Sequence, residues 1–143
     1  MKWFGLLVSL LFLASCAPAQ LPTPRVEGTP VEIVKMYYAG WSNQDYAVMY
    51  DLVSDGWKDL EPTARTLGTF ERHMQGFFSK AKGIRTTFVS EQSNTGTEAV
   101  VSVALEVETL DDRFLNTNQT LTLKLKDNGW KLIQPYGEYK DDP

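Results

Sequence analysis

At 143 residues the chain has room for one domain and a short leader, and its 14 Lys and Arg stand against 18 Asp and Glu for a net charge of −4. An acidic chain without clustered basic residues is not built to neutralise phosphates, which argues against a nucleic-acid or anionic-membrane surface. One cysteine and one histidine exclude an intrachain disulfide and any metal site made from several thiolates or imidazoles.

The chain opens on Lys2, then runs from Trp3 to Ala14 without a charge, then through small residues to Cys16. That is the layout of a secretory leader, and its dozen or so apolar residues fall short of the roughly 20 that a spanning helix needs. Leu13-Ala14-Ser15-Cys16 resembles the bacterial lipobox, in which the cysteine thiol is acylated and the leader is cut just before it. The resemblance implies that residues 1–15 are a signal peptide and that Cys16 carries a lipid. The protein would then be held in the cell envelope, on the outer side of the cytoplasmic membrane or in the outer membrane. Ala17 after the cysteine, in place of aspartate, permits the second location. With Cys16 consumed, no thiol remains for catalysis. Residues 16–28 hold Pro18, Pro22 and Pro24 among small and polar residues, the composition of an extended tether.

Residues 29–136 are read as one domain and residues 137–143 as a polar tail that frays. Thr29-Pro30-Val31-Glu32 is a helix start: the Thr hydroxyl accepts from free amides, Pro suits the first position, and Glu closes a capping box. The helix is expected to run to about Ser42, with Ile33, Val34, Tyr37, Tyr38 and Trp41 on one arc and Glu32 and Lys35 opposite. Gly40 within it marks a close approach or an early fraying. Asn43 or Asp45 then caps a second helix carrying Tyr46, Met49, Tyr50 and Val53, ending near Ser54-Asp55-Gly56. Pro62 breaks the period, so residues 57–68 are expected as an irregular link, with about one helical turn, that rims a cavity. Thr69 is expected to cap a third helix bearing Phe70, Met74, Phe77, Phe78 and Ala81, stopped by Gly83.

After Gly83 the period changes to two. Ile84 to Gln92 is β-rich, and Ser93 to Gly96 is a turn. From Glu98 to Thr109, Ala99, Val101, Val103, Leu105 and Val107 alternate with polar residues. Gln119 to Lys126 repeats this with Leu121, Leu123 and Leu125 inward. Asp127-Asn128-Gly129 is a hairpin signal, because Gly accepts the positive φ of a tight turn, and Trp130 to Tyr136 is expected as the last strand.

Three amphipathic helices followed by four meandering strands define an α+β fold, with the helices packed on one face of a curved antiparallel sheet. Two aromatic-rich helices joined by Asn43-Gln44-Asp45-Tyr46, a third helix, and a hairpinned sheet ending in Asn128-Gly129-Trp130-Lys131-Leu132-Ile133 resemble the cone-shaped, cystatin-like nuclear transport factor two-like superfamily. The resemblance spans nearly all of residues 29–136. It implies a cone pocket and a homodimer through the outer sheet face. The superfamily holds enzymes and non-catalytic binding modules alike, so the fold alone assigns no activity.

Most helix aromatics are core by spacing. The superfamily also builds small-molecule pockets from an aromatic-lined cone, which makes Tyr37, Trp41, Tyr50, Trp57 and Phe77 the candidate lining. His73 lies beside the third helix's apolar stripe, where a partly exposed structural histidine is the plain reading and a catalytic one the sharp reading. Glu106 and Glu108 share a strand face, as an acid/base pair or as exposed charges facing Lys124 or Lys126. No converging acid, base and nucleophile is read, and neither a metal nor a cofactor is expected. The reading is therefore a lipid-anchored, non-catalytic envelope domain that binds a small apolar ligand or another envelope protein. The alternative is an isomerase or dehydratase working in the cone.

Overall fold

The computed structural model describes residues 27–137; the leader, Cys16, most of the tether and the tail after Gly137 lie outside the described residues. Helix α1, Pro30–Ser42, begins as its sequence dictates. The Thr29 hydroxyl accepts from the Glu32 amide at 3.3 Å while the Glu32 carboxylate accepts from the Thr29 amide at 2.7 Å. Its buried arc is Ile33, Val34, Tyr37 and Tyr38, with Trp41 half-buried at the end. Gly40 is a close approach: a Cβ there would lie 2.9 Å from Met49 Cγ and 3.1 Å from the Asp45 carbonyl oxygen. Helix α2, Tyr46–Asp51, can therefore nestle against α1 only because position 40 has no side chain.

The middle of the chain departs from the expected pattern. Helix α2 stops at Asp51, and Ser54 opens a further helix, α3, Asp55–Leu60, where the second helix was expected to end and a link with about one helical turn to follow. The cause is a tether to the sheet. The Leu132 amide donates to the Leu52 carbonyl and the Ser54 amide to the Leu132 carbonyl, both at 2.9 Å, so the chain is pulled into a single parallel bridge at Val53 and helix α2 cannot continue. The Ser54 hydroxyl then accepts from the Trp57 amide, and α3 buries Trp57 to 1% exposure. Helix α4, Leu67–Gln75, is capped by Thr66 rather than Thr69, which instead sits three residues in and completes the reciprocal box. It passes into a 3₁₀ turn, Gly76–Ser79, and Gly83 is no stop but already lies in the first strand.

The sheet is an antiparallel meander in the order β1-β2-β3-β4: β1 Ala81–Asn94, β2 Glu98–Thr109, β3 Phe114–Lys126 and β4 Gly129–Leu132. Its first three strands are long, and β1 slips register between Ala81 and Gly83, Thr86 and Phe88, and Glu91 and Ser93. Each bulge adds bend and twist, which curls the sheet around the helices. The concave face carries Val101, Val103, Leu105, Leu121, Leu123 and Leu132 against Ile33, Val34, Tyr37, Met49, Leu52, Trp57 and Phe70. Gly129, at φ +108°, closes the β3–β4 hairpin in the left-handed region that favours glycine.

Several strand expectations are corrected: β3 begins at Phe114 rather than Gln119, and Leu125, expected inward, is exposed. β4 ends at Leu132 rather than Tyr136: the Ile133 amide still reaches Thr122, but Pro135 offers no N–H and the chain leaves the sheet. Glu106 does not face Lys124 or Lys126. The turn at residues 110–113 sets Glu98 opposite Lys124 and Glu106 opposite Asn116, and on the other side Glu106 holds Arg85 at 2.5 Å on the outer face.

Candidate functional site

A cleft of about 460 Å³ opens between α1, the end of α4 and the sheet. Helix α1 presents Tyr37 and Trp41, one turn apart on its inner arc. Helix α4 adds His73 and Met74, the 3₁₀ turn adds Gly76 and Phe77, and Lys80, Gln119, Pro135 and Tyr136 complete the wall. The aromatic floor is interlocked. Tyr37 meets Tyr38 edge to face at 5.4 Å, Trp41 stacks on Tyr38 at 6.0 Å, and Phe77 leans on Trp41 at 4.7 Å. Such contacts hold the rings in fixed orientations.

Polar groups sit at the edges. The Tyr38 hydroxyl donates to Gln119 Oε1 and so fixes which end of that amide faces away. Tyr136 is gripped from both sides, with His73 stacked on it at 4.4 Å and Trp57 edge-on at 4.8 Å. Its hydroxyl lies 3.2 Å from Thr63 Oγ1, which in turn donates to Glu61 Oε1 at 2.7 Å. A threonine hydroxyl has one hydrogen, so Tyr136 is the donor to Thr63 and the three groups form a directed chain ending on a buried carboxylate. Among the described residues, the indole nitrogens of Trp41 and Trp57 and the Tyr46 hydroxyl are buried without a hydrogen-bond partner.

Burial pushes the Tyr136 phenol up to about 12, with the Glu61 charge adding to the effect. Burial likewise holds Tyr37 and Tyr38 well above the usual phenol value. A phenol whose folded pKa is raised binds its proton more tightly when folded, so its stabilisation is complete below about pH 10 and is lost as pH climbs toward about 12. Lys131, pushed down mainly by burial, acts with the opposite sign on approach to its unfolded value of 10.5. The expected result is a melting temperature that falls steeply above pH 10, with a shallower fall in Tyr136→Phe. Parallel slopes for the two proteins from pH 9 to 12 would remove Tyr136 from this role.

Of the five aromatics singled out by sequence, Tyr37, Trp41 and Phe77 line the cleft and two do not. Tyr50 is half-buried behind it, against Phe70 at 5.4 Å and under the Lys58 ammonium at 4.3 Å. Trp57 is sealed in the core on the far side of Tyr136. Tyr50 was placed by helical period and does lie in α2, but behind the cleft; Trp57, expected in an irregular link, is turned into the core by α3. Lys80, Gln119 and Tyr136 were missed. Gln119 left a trace, since it shares the parity of Leu121 and Leu123 and so puts a polar group on the inward face. Among the described residues no group of three or more His, Cys, Asp or Glu is placed to hold a metal ion.

No protein-family model matches the chain, and no curated protein matches it. Solved structures do. A SEC-C motif-containing protein from Rhodopseudomonas palustris superposes with a TM-score of 0.57 at 12% identity, over 78% of this chain and 79% of that one. An NTF2-like protein of unknown function from Burkholderia pseudomallei matches with a TM-score of 0.51 at 11% identity, over 71% and 83%. Another from Shewanella oneidensis gives 0.51 at 12%, over 71% and 89%. At these identities the likeness establishes the fold: an α+β cone of the nuclear transport factor two-like type.

Proposed function

We propose that this protein is a lipid-anchored envelope component whose cone binds a small apolar ligand without transforming it. The observation that carries the reading is the cleft itself. Its volume of about 460 Å³ falls within the roughly 300–1,000 Å³ of small-molecule sites, and an aromatic floor with a few polar groups at the edge is the usual lining of such sites. An isomerase or dehydratase needs a carboxylate or imidazole free to move a proton at the substrate. Glu61 is spent on Thr63, the wall of the cleft carries no Asp or Glu, and its one imidazole, His73, stands without a carboxylate partner on that wall.

Gly76 provides the test. Its backbone is helical, at φ −56° and ψ −25°, and a Cβ there would meet nothing within 4 Å, so a larger side chain fits the backbone at the wall of the cleft. Gly76→Leu is expected to weaken binding of the neutral fluorescent probe phenylnaphthylamine tenfold or more. The melt should hold or rise, because replacing a helical glycine gains about 0.4–1 kcal/mol. Undiminished probe binding in this variant would mean that the cleft is not the site.

A further inference from the structure

We infer that the ligand of this cleft is an apolar molecule bearing a single carboxylate, with Lys80 as its counter-charge; the inference rests on the small-ligand reading above. Three observations converge. First, the wall of the cleft contains no Asp or Glu, although the chain as a whole carries a net charge of −4. In so acidic a protein, a hollow edged by Lys80 and without carboxylates is the place where an anion meets least repulsion.

Second, Lys80 has no ion pair among the described residues, whereas Lys58, Lys82, Arg85 and Arg113 each hold an acidic partner. Third, the remaining polar group is arranged to donate. Gln119 Oε1 is occupied by the Tyr38 hydroxyl, which leaves the amide nitrogen as that side chain's free group, without a partner among the described residues. An ammonium and an amide N–H at the edge of one cleft ask for an acceptor with several lone pairs. A carboxylate supplies them, and an alcohol or amine does so poorly. The body of the ligand lies on Tyr37, Trp41, Met74 and Phe77, a floor suited to a flat or flexible hydrocarbon.

The test compares two probes of nearly the same shape, naphthaleneacetate and the neutral naphthaleneethanol, titrated calorimetrically into the full chain. The acid is expected to bind roughly tenfold tighter, the scale of one charge-assisted hydrogen bond, with the advantage shrinking as salt is added. Lys80→Gln should bring the acid to the alcohol's affinity and leave the alcohol unchanged. Lys35→Gln, at an exposed lysine of α1 outside the cleft, should change neither. Equal affinity for acid and alcohol, or an acid preference that survives Lys80→Gln, overturns the carboxylate inference and leaves the apolar site standing. If neither probe binds, the reading beneath it falls as well.

Discussion

Trp57→Ala is expected to cost about 3–5 kcal/mol of unfolding free energy, the range for removing a large aromatic from a close-packed core. The indole is 1% exposed, the largest of the fully buried side chains, and it backs the ring of Tyr136 at 4.8 Å. Truncation leaves a hollow beneath the segment that carries Tyr136, where the chain has already left β4 and has no ladder to hold it. Domains of this size hold about 5–15 kcal/mol in total, so the variant should lie near the edge of folding. Trp57→Phe provides the contrast. It keeps most of the ring and removes an indole N–H that is buried without a partner among the described residues. Its cost should be under about 1.5 kcal/mol, because the volume lost is small and the desolvation penalty of the orphan donor goes with it. Urea unfolding of both variants checks this. An alanine variant within 1 kcal/mol of wild type would mean that α3 is not part of the core.

The parts of the fold legible in the sequence are those fixed by local chemistry. Helix α1 could be read because Thr29, Pro30 and Glu32 cap it within four residues and its buried arc follows one period. Strand β2 was legible to the residue, since its alternation runs unbroken from Glu98 to Thr109 between two turns. Helix α3 was hidden because Ser54-Asp55-Gly56 looks like a helix end. Only the pairing of Leu52 and Ser54 with Leu132, distant in sequence, turns it into a beginning. The same distance hides half the cleft. Tyr37 and Trp41 share one helix face, but Lys80, Gln119 and Tyr136 come from a turn, a strand interior and a segment past the last strand. No period links them, and the curl produced by three bulges in β1 is not written in any one stretch.

Cys16→Ala is expected to move the protein wholly from the membrane fraction to the soluble one and to abolish incorporation of labelled fatty acid. Each buried methylene contributes about 0.8 kcal/mol, so stable retention takes more than one acyl chain, or a chain with a second signal. No helix among the described residues is long and apolar enough to cross a membrane, and a net charge of −4 gives no attraction to anionic lipid. Retention should therefore be all or none at this one position. A lipid on Cys16 would also bear on the cleft, because it would keep the domain within reach of the bilayer. Apolar acids partition into that layer, so anchoring would raise their local concentration at the cone mouth without any change in intrinsic affinity. Full membrane retention of Cys16→Ala, with the cysteine-free mature chain recovered at its unmodified mass, would refute the anchor and leave the cleft to be filled from solution.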